Sequence, residues 1–273
     1  MIWASCYNGF GDILKLYSIA SGSSGNATYI EHENLRILVD AGVSFKKLSN
    51  AFLSEHLSIL NLTHVLLTHE HVDHIRGIET LFSNINVPLY TSYGTAKAMK
   101  YLDNEKFADS VRIIEAFSPF KIGTLTITPI PLSHDAAEPL GFIFETNTVK
   151  LGYITDTGYI RETLIEPLSN CDFYYFEANH DPILLKNSNR PYPTIHRILT
   201  ERGHLSNEDA AYYFSKMMGT RTKGIIMAHI SEECNTIDKI KTTFESVLKA
   251  NQKSLDSLKV YYASQTPLEV IEL

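Results

Sequence analysis

Six consecutive residues, His69-Glu70-His71-Val72-Asp73-His74, constrain the architecture of this chain more than any other segment. They follow the apolar run Val65 to Thr68, which reads as a short buried strand, and precede a helical stripe of Ile75, Ile78, Leu81 and Phe82. An extended backbone turns alternate side chains to one side, so His69 and His71 face a common point. Asp73 and His74 then face a neighbouring point across the turn. Imidazole and carboxylate donors in that arrangement suit zinc, manganese or iron. A surface loop rich in histidine by chance would lack the strand before it and the helix after it.

Two ions need more donors than four, and three further polar residues stand where apolar strands end. His134 follows Thr126 to Leu132, Asp156 follows Val149 to Thr155, and His229 follows Gly224 to Ala228. Together they complete two sites, with His69, His71 and His134 on one divalent ion and Asp73, His74 and His229 on the other. Asp156 bridges them, because a carboxylate offers two oxygens and a neutral imidazole only one free nitrogen. Paired ions clamp the attacking and leaving oxygens of a displacement.

The rest of the pattern places these residues in an α/β frame. Leu14 to Ala20, Ala27 to His32 and Leu35 to Val39 read as a β-meander, followed by a helix with Phe45, Leu48, Phe52 and Leu53 on one face. Val87 to Thr91 and Val111 to Glu115 read as further strands. A second β-rich stretch comprises Thr124 to Ile130, Leu140 to Thr146, Val149 to Thr155 and Asp172 to Glu177. Asp181-Pro182, Ser206 with Asp209, and Thr236 mark helix starts. Lys259 to Ala263 reads as the closing strand. A meander followed by helices thus occurs twice with no linker between. The expectation is one domain over residues 14–273, an αββα sandwich of four layers, with residues 1–13 unassigned.

Composition narrows the setting. Hydrophobic residues make up 44% and charged residues 20%, a profile able to bury a large core. The absence of a basic residue before Lys15 and of any long apolar run argues against a signal peptide or membrane span, which predicts a cytoplasmic protein. Three scattered cysteines, Cys6, Cys171 and Cys234, fit a reducing compartment. The formal net charge of −7 does not advertise a nucleic-acid binder. Yet Lys186, Arg190, Arg197, Arg202, Lys216, Arg221 and Lys223 face only Glu201, Glu208 and Asp209 between Leu184 and Lys223. Such bases serve either as solvated helix faces or as strand contacts.

The His-x-His-x-Asp-His run with His134, Asp156 and His229 resembles the motif series of the metallo-β-lactamase superfamily. Ser18-Ile19-Ala20-Ser21-Gly22-Ser23-Ser24-Gly25-Asn26-Ala27, Glu177-Ala178-Asn179-His180-Asp181 and Gly203-His204-Leu205-Ser206-Asn207-Glu208-Asp209-Ala210-Ala211 are similar to its YycJ/WalJ branch. The resemblance covers the chain from about Leu14 onward, and Met1 to Asp12 departs from the pattern. It implies a metal-dependent nuclease with 5′-to-3′ exonuclease activity on DNA. It also implies that Asp40, at the superfamily's first motif, orients a ligand instead of binding metal.

Substrate phosphates need donors. Ser23, Ser24 and Asn26, between Gly22 and Gly25, read either as a phosphate cradle or as a plain tight turn. His204 stands just before the Ser206 cap, where a helix N-terminus favours an anion. His180 and His196 are more usually structural, and Asn235 is a weaker substrate candidate, since Asn before a helix is commonly a cap. The expected reaction is metal-assisted hydrolysis with in-line attack of hydroxide on phosphorus. Asp73 orients or deprotonates the water, and His204 or a metal-bound water protonates the leaving 3′ oxygen. Two alternatives stay open: a thioester or lactone hydrolase of the same superfamily, and a non-catalytic metal-binding partner protein. Loss of ligands would mark the second, and every ligand position is filled.

Overall fold

The computed structural model describes residues 12–273, so Met1 to Gly11, including Cys6, lie outside it. The first sheet is built from β1 (Leu14–Ala20), β2 (Ala27–His32), β3 (Leu35–Val39), β4 (His64–Leu66), β5 (Leu89–Thr91) and β6 (Val111–Ile113). The second contains β7 (Phe120–Ile122), β8 (Leu125–Pro131), β9 (Leu140–Glu145), β10 (Lys150–Ile154), β11 (Phe173–Glu177), β12 (Gly224–Ala228) and β13 (Lys259–Tyr262). The last strand, β14 (Ile271–Glu272), returns to the first sheet, giving the orders β14-β1-β2-β3-β4-β5-β6 and β13-β12-β11-β10-β9-β8-β7.

Three apolar clusters define four layers. Leu16, Ile30, Val39 and Leu66 of the first sheet meet Phe142, Leu151, Phe173 and Ile226 of the second in the central core. Outside the first sheet, Leu38 and Val65 pack with Leu48 and Phe52 of helix Phe45–Ser54 and Leu81 of helix Ile78–Asn84. Outside the second, Tyr174, Phe176 and Ile225 pack against Leu164, Phe214 and Phe244 of three helices. The expected αββα sandwich is the observed one. Strands covered on both sides are largely apolar, and β11 and β12 are buried at every position. Within the central layer Tyr153 and Tyr175 stack at 4.6 Å with planes 2° apart. Their hydroxyls cross to the first sheet, lying 3.1 Å from Thr28 Oγ1 and 2.9 Å from Ser18 Oγ respectively.

The helix starts read from sequence carry their caps. Asp181 Oδ1 accepts from Ile183 N and Leu184 N, Thr236 Oγ1 from Lys239 N, and Ser206 Oγ from Asp209 N. In place of a strict capping box, the Asp209 carboxylate accepts the Ser206 hydroxyl at 2.6 Å. The structure departs from the pattern at the short elements. The chain does not close on β13, because β14 pairs antiparallel with β1 through Lys15↔Glu272 and Leu16↔Ile271. Strand β7 and helices Glu162–Leu168 and Tyr192–Ile198 were also unmarked in the sequence. Elements this short carry too few residues for periodicity to register. Among the described residues, no helix is long and apolar enough to cross a membrane.

One edge of the sandwich receives the functional side chains. β3, β4, β5 and β6 run parallel, as do β10, β11, β12 and β13. Their C-terminal ends deliver Asp40, His69, Asp156, Glu177 and His229.

Candidate metal centre

The His69 to His74 run is fixed to the loops beneath it by backbone hydrogen bonds. Asn26 N donates to Asp73 O and Ala41 N to His74 O, both at 2.8 Å. Gly42 makes this approach feasible, since a Cβ there would stand 1.6 Å from Asp73 O. A short helix, Val72–Ile75, follows and turns Asp73 and His74 away from His71.

Three imidazoles form the first donor group. The His69 ring lies 4.6 Å from that of His71 and 5.1 Å from that of His134, and the last two are 4.9 Å apart. Asp73, His74 and His229 form the second, with Asp73 Oδ2 at 3.8 Å from Nε2 of each histidine. Asp156 lies against the second group, its Oδ2 3.3 Å from His74 Nε2 and its Oδ1 3.3 Å from His229 Nε2. It also groups with His69 and His74, all with donor atoms within 4.8 Å of one another. Asp40, Asp156 and His229 each adopt a left-handed backbone, with φ of 60°, 58° and 51°. Non-glycine residues held there are strained, and such strain gathers at functional sites.

On four of the five imidazoles the opposite nitrogen is committed elsewhere, which aims the donor inward. His74 Nδ1 lies 2.8 Å from Asp40 Oδ2, His134 Nδ1 3.0 Å from Gly203 O, and His69 Nδ1 3.0 Å from Thr68 Oγ1. His229 Nδ1 lies 3.2 Å from Glu177 Oε1 and 3.1 Å from Asn179 Nδ2. Asp40 is itself held by Thr68, whose backbone N and Oγ1 both donate to it.

These residues fit metal binding on chemical grounds. His69 Nε2, Asp156 Oδ2 and His229 Nε2 are buried without a hydrogen-bond partner, and a cation is what such inward-facing lone pairs satisfy. Burial pushes His69 well down and His134 down to about 4, which leaves both as neutral ligands. Burial opposes charge on Asp156 too, but His229 and His74 hold its carboxyl well below the usual range. Burial likewise works against protonation of His74 and His229, yet Asp40 and Asp156 lift the first, and Asp156, Asp73 and Glu177 the second. Carboxylates that draw protons onto two buried imidazoles also attract a divalent cation, and the two compete for the same nitrogens.

His204 joins this cluster. Its ring stacks on His229 at 5.0 Å, and its Nδ1 lies 2.7 Å from Glu177 Oε1. Glu177 is the residue to which sequence reasoning gave no role. It is wholly buried, and its other oxygen accepts from Thr157 N at 2.8 Å. The signal was present, a carboxylate ending the apolar strand Phe173-Tyr174-Tyr175-Phe176. Glu70, inside the motif, spans to the next loop, where Ala137 N donates to Oε1 at 2.7 Å.

The remaining candidates are placed unequally. Asn26 sits against the cluster, with Nδ2 3.0 Å from His74 Nε2, while its Oδ1 accepts from Gly22 N at 2.8 Å and so closes its own loop. Ser23 and Ser24 are exposed on that loop. Asn235 is buried in a pair with Asn207, donates to Ala178 O and accepts from Thr236 N. His196 stands beside Tyr192 on helix Tyr192–Ile198. Four of the basic residues fall into two sets. Arg197 pairs with Asp135, and Arg202 donates to His134 O, both beside the site. Arg221 and Lys223 instead clasp Asp172, just before β11, at the end of that strand opposite Glu177.

A family model described as the Beta-lactamase superfamily domain matches residues 35–230, and the chain belongs to that superfamily. Within it, 35% identity over 236 residues links the chain to exodeoxyribonuclease YycJ of Bacillus anthracis, covering 85% of this chain and 88% of that protein. Exodeoxyribonuclease WalJ of Streptococcus pneumoniae is 37% identical over 225 residues, covering 80% and 82%. The metallo-β-lactamase fold protein YhfI from Bacillus subtilis has the same fold, with a TM-score of 0.72 at 18% identity, covering 96% of this chain and 100% of that one. The resemblance to the YycJ/WalJ branch read from the motifs is borne out. The superfamily is one of metal-dependent hydrolases, and its fold implies divalent metal ions.

Proposed function

We propose that this chain is a binuclear metal-dependent phosphodiesterase, acting on DNA as a 5′-to-3′ exonuclease. The position of Asp156 between two complete donor groups carries the binuclear part. Similarity to YycJ and WalJ supports the substrate and the direction. Zinc or manganese suits the donors, and iron is acceptable to them. His69, His71 and His134 would hold one ion, Asp73, His74 and His229 the other, with Asp156 between. When bound, the ions polarise the phosphoryl oxygen and make water more acidic.

The chain's own groups do the rest. Asp73 is the most open carboxylate of the ligand set, its side chain 23% exposed against 2% for Asp156, so it is placed to orient or deprotonate the incoming water. Glu177 engages Nδ1 of His204, which turns Nε2 toward the substrate. His204 then supplies the proton that the leaving 3′ oxygen needs. Asn26 and the exposed Ser23 and Ser24 border the strand, while Asn235 acts at a distance by holding Asn207 at the helix start. Arg197 and Arg202 add positive charge near His134. We read residues 14–273 as one domain. The buried free thiols of Cys171 and Cys234 support a cytoplasmic setting.

The test is metal analysis of the purified protein, followed by assay on 5′-phosphorylated DNA, on RNA and on a thioester. Two divalent ions per chain and nucleotide release from DNA are expected. Hydrolysis of thioesters or lactones without cleavage of nucleic acid would overturn the proposal.

A further inference from the structure

Beside the metal-ligand cluster lies a cavity of ≈ 350 Å³ that the reaction above leaves unused. Small-molecule sites occupy roughly 300 to 1,000 Å³, so the space is large enough for a ligand. It borders the reacting centre through His204, whose Nδ1 is 3.7 Å from Asp156 Oδ1. Its walls are firmly joined. Gly158 packs so closely on the neighbouring turn that a Cβ would meet Glu201 backbone at 2.4 Å, and Asn207 N donates to His180 O at 2.9 Å.

His180 lines this space and is the unexplained residue in it. It is 1% exposed, and neither ring nitrogen has a hydrogen-bond partner among the described residues. Burial pushes its pKa down to about 4, so the ring is neutral and presents one N–H and one lone pair. A buried donor and acceptor left unmet are costly, and a ligand group that reaches either nitrogen would lower that cost.

Charge selects among ligands. Glu201, Glu208 and Asp209 line the cavity and repel phosphate. The helix N-terminus at Asn207 is already served, since Ser206 Oγ accepts from Asp209 N and the first turn carries Glu208 and Asp209. Tyr159 and Tyr213 contribute aromatic walls. A flat, uncharged ring with amino groups for the carboxylates and one hydrogen-bonding atom for His180 meets all these conditions. Nucleobases have that chemistry, and proteins bind unpaired ones by stacking and by hydrogen bonds to their edges.

We propose that the cavity lined by Tyr159, His180, Thr200, His204, Glu208 and Tyr213 receives the base of the nucleotide that carries the scissile phosphate. The inference rests on the phosphodiesterase reading and adds a site that senses the base. It is tested on the metal-loaded protein by calorimetric titration with deoxynucleoside 5′-monophosphates and with deoxyribose 5-phosphate, which lacks the base. The nucleotides are expected to bind about tenfold or more tightly than the sugar phosphate. His180→Leu, which removes the donor and acceptor, and Thr200→Trp, which fills the space, should each bring that ratio toward one. Thr200→Trp decides alone if His180→Leu fails to fold. Equal affinity of the parent for both ligands, or a preference that survives the substitutions, would overturn the pocket. Because binding is read without turnover, DNA cleavage by a protein that binds the nucleotides and the sugar phosphate equally rejects the pocket only. Nucleotide preference in a protein that cleaves no nucleic acid rejects the phosphodiesterase reading only.

Discussion

Asp40 follows β3 in the first sheet and places Oδ2 2.8 Å from His74 Nδ1, while Glu177 ends β11 in the second and serves two rings, at 2.7 Å from His204 and 3.2 Å from His229. Both carboxylates are wholly buried, and both orient a histidine by the nitrogen turned away from the cluster. The difference lies in what each histidine does. His74 is a ligand in our reading, so Asp40 acts on metal binding alone. Glu177 couples a ligand to the residue assigned to proton transfer, and damage to it reaches both functions. In this reading the Asp40 contact supports a ligand only, whereas the Glu177 contacts join a ligand to the proton donor.

The largest effect is expected where the two donor groups meet. Asp156→Asn should reduce bound metal below two ions per chain and lower DNA hydrolysis by orders of magnitude, read by metal analysis beside turnover. Full activity with two ions retained would break the view that both groups depend on this carboxylate. His204→Ala comes next, with a loss of turnover of roughly a hundredfold for a general acid and unchanged metal content. An activated aryl phosphodiester, if accepted, should be hurt less than DNA, because its leaving group needs less protonation. Parent-rate cleavage of DNA would remove His204 from the mechanism. Glu177→Gln and Asp40→Asn should each weaken metal binding by about 10-fold to 100-fold. Saturating metal should restore turnover to Asp40→Asn but only partly to Glu177→Gln, and equal rescue of both would erase the distinction.

The sequence exposed these parts unequally, for physical reasons. His69 to His74 stand in one run, so a local pattern sufficed. Asp156 and His229 were legible because an ionisable residue that ends a largely apolar strand contradicts its surroundings. Glu177 carries the same contradiction, but its meaning depends on partners 27 and 52 residues away, which no local pattern reports. Closeness in sequence did not divide the basic stretch, in which Arg197 and Arg202 lie at the site whereas Arg221 and Lys223 close on Asp172. The sandwich was readable from two repeated meanders, but β7 and β14 were too short to be seen.

The stacked Tyr153 and Tyr175 bear on how a site assembled from two sheets keeps its dimensions. Apolar faces attract without direction, so the central core alone resists separation of the sheets better than it resists their sliding. Hydroxyl contacts have preferred lengths and angles, and those to Thr28 and Ser18 fasten the second sheet to the first at a set offset. His69, His71, Asp73 and His74 ride on one sheet, and His134, Asp156 and His229 on the other. Each donor group draws ligands from both sheets, so its internal spacing is a property of the whole sandwich, and these two phenols act as its gauge.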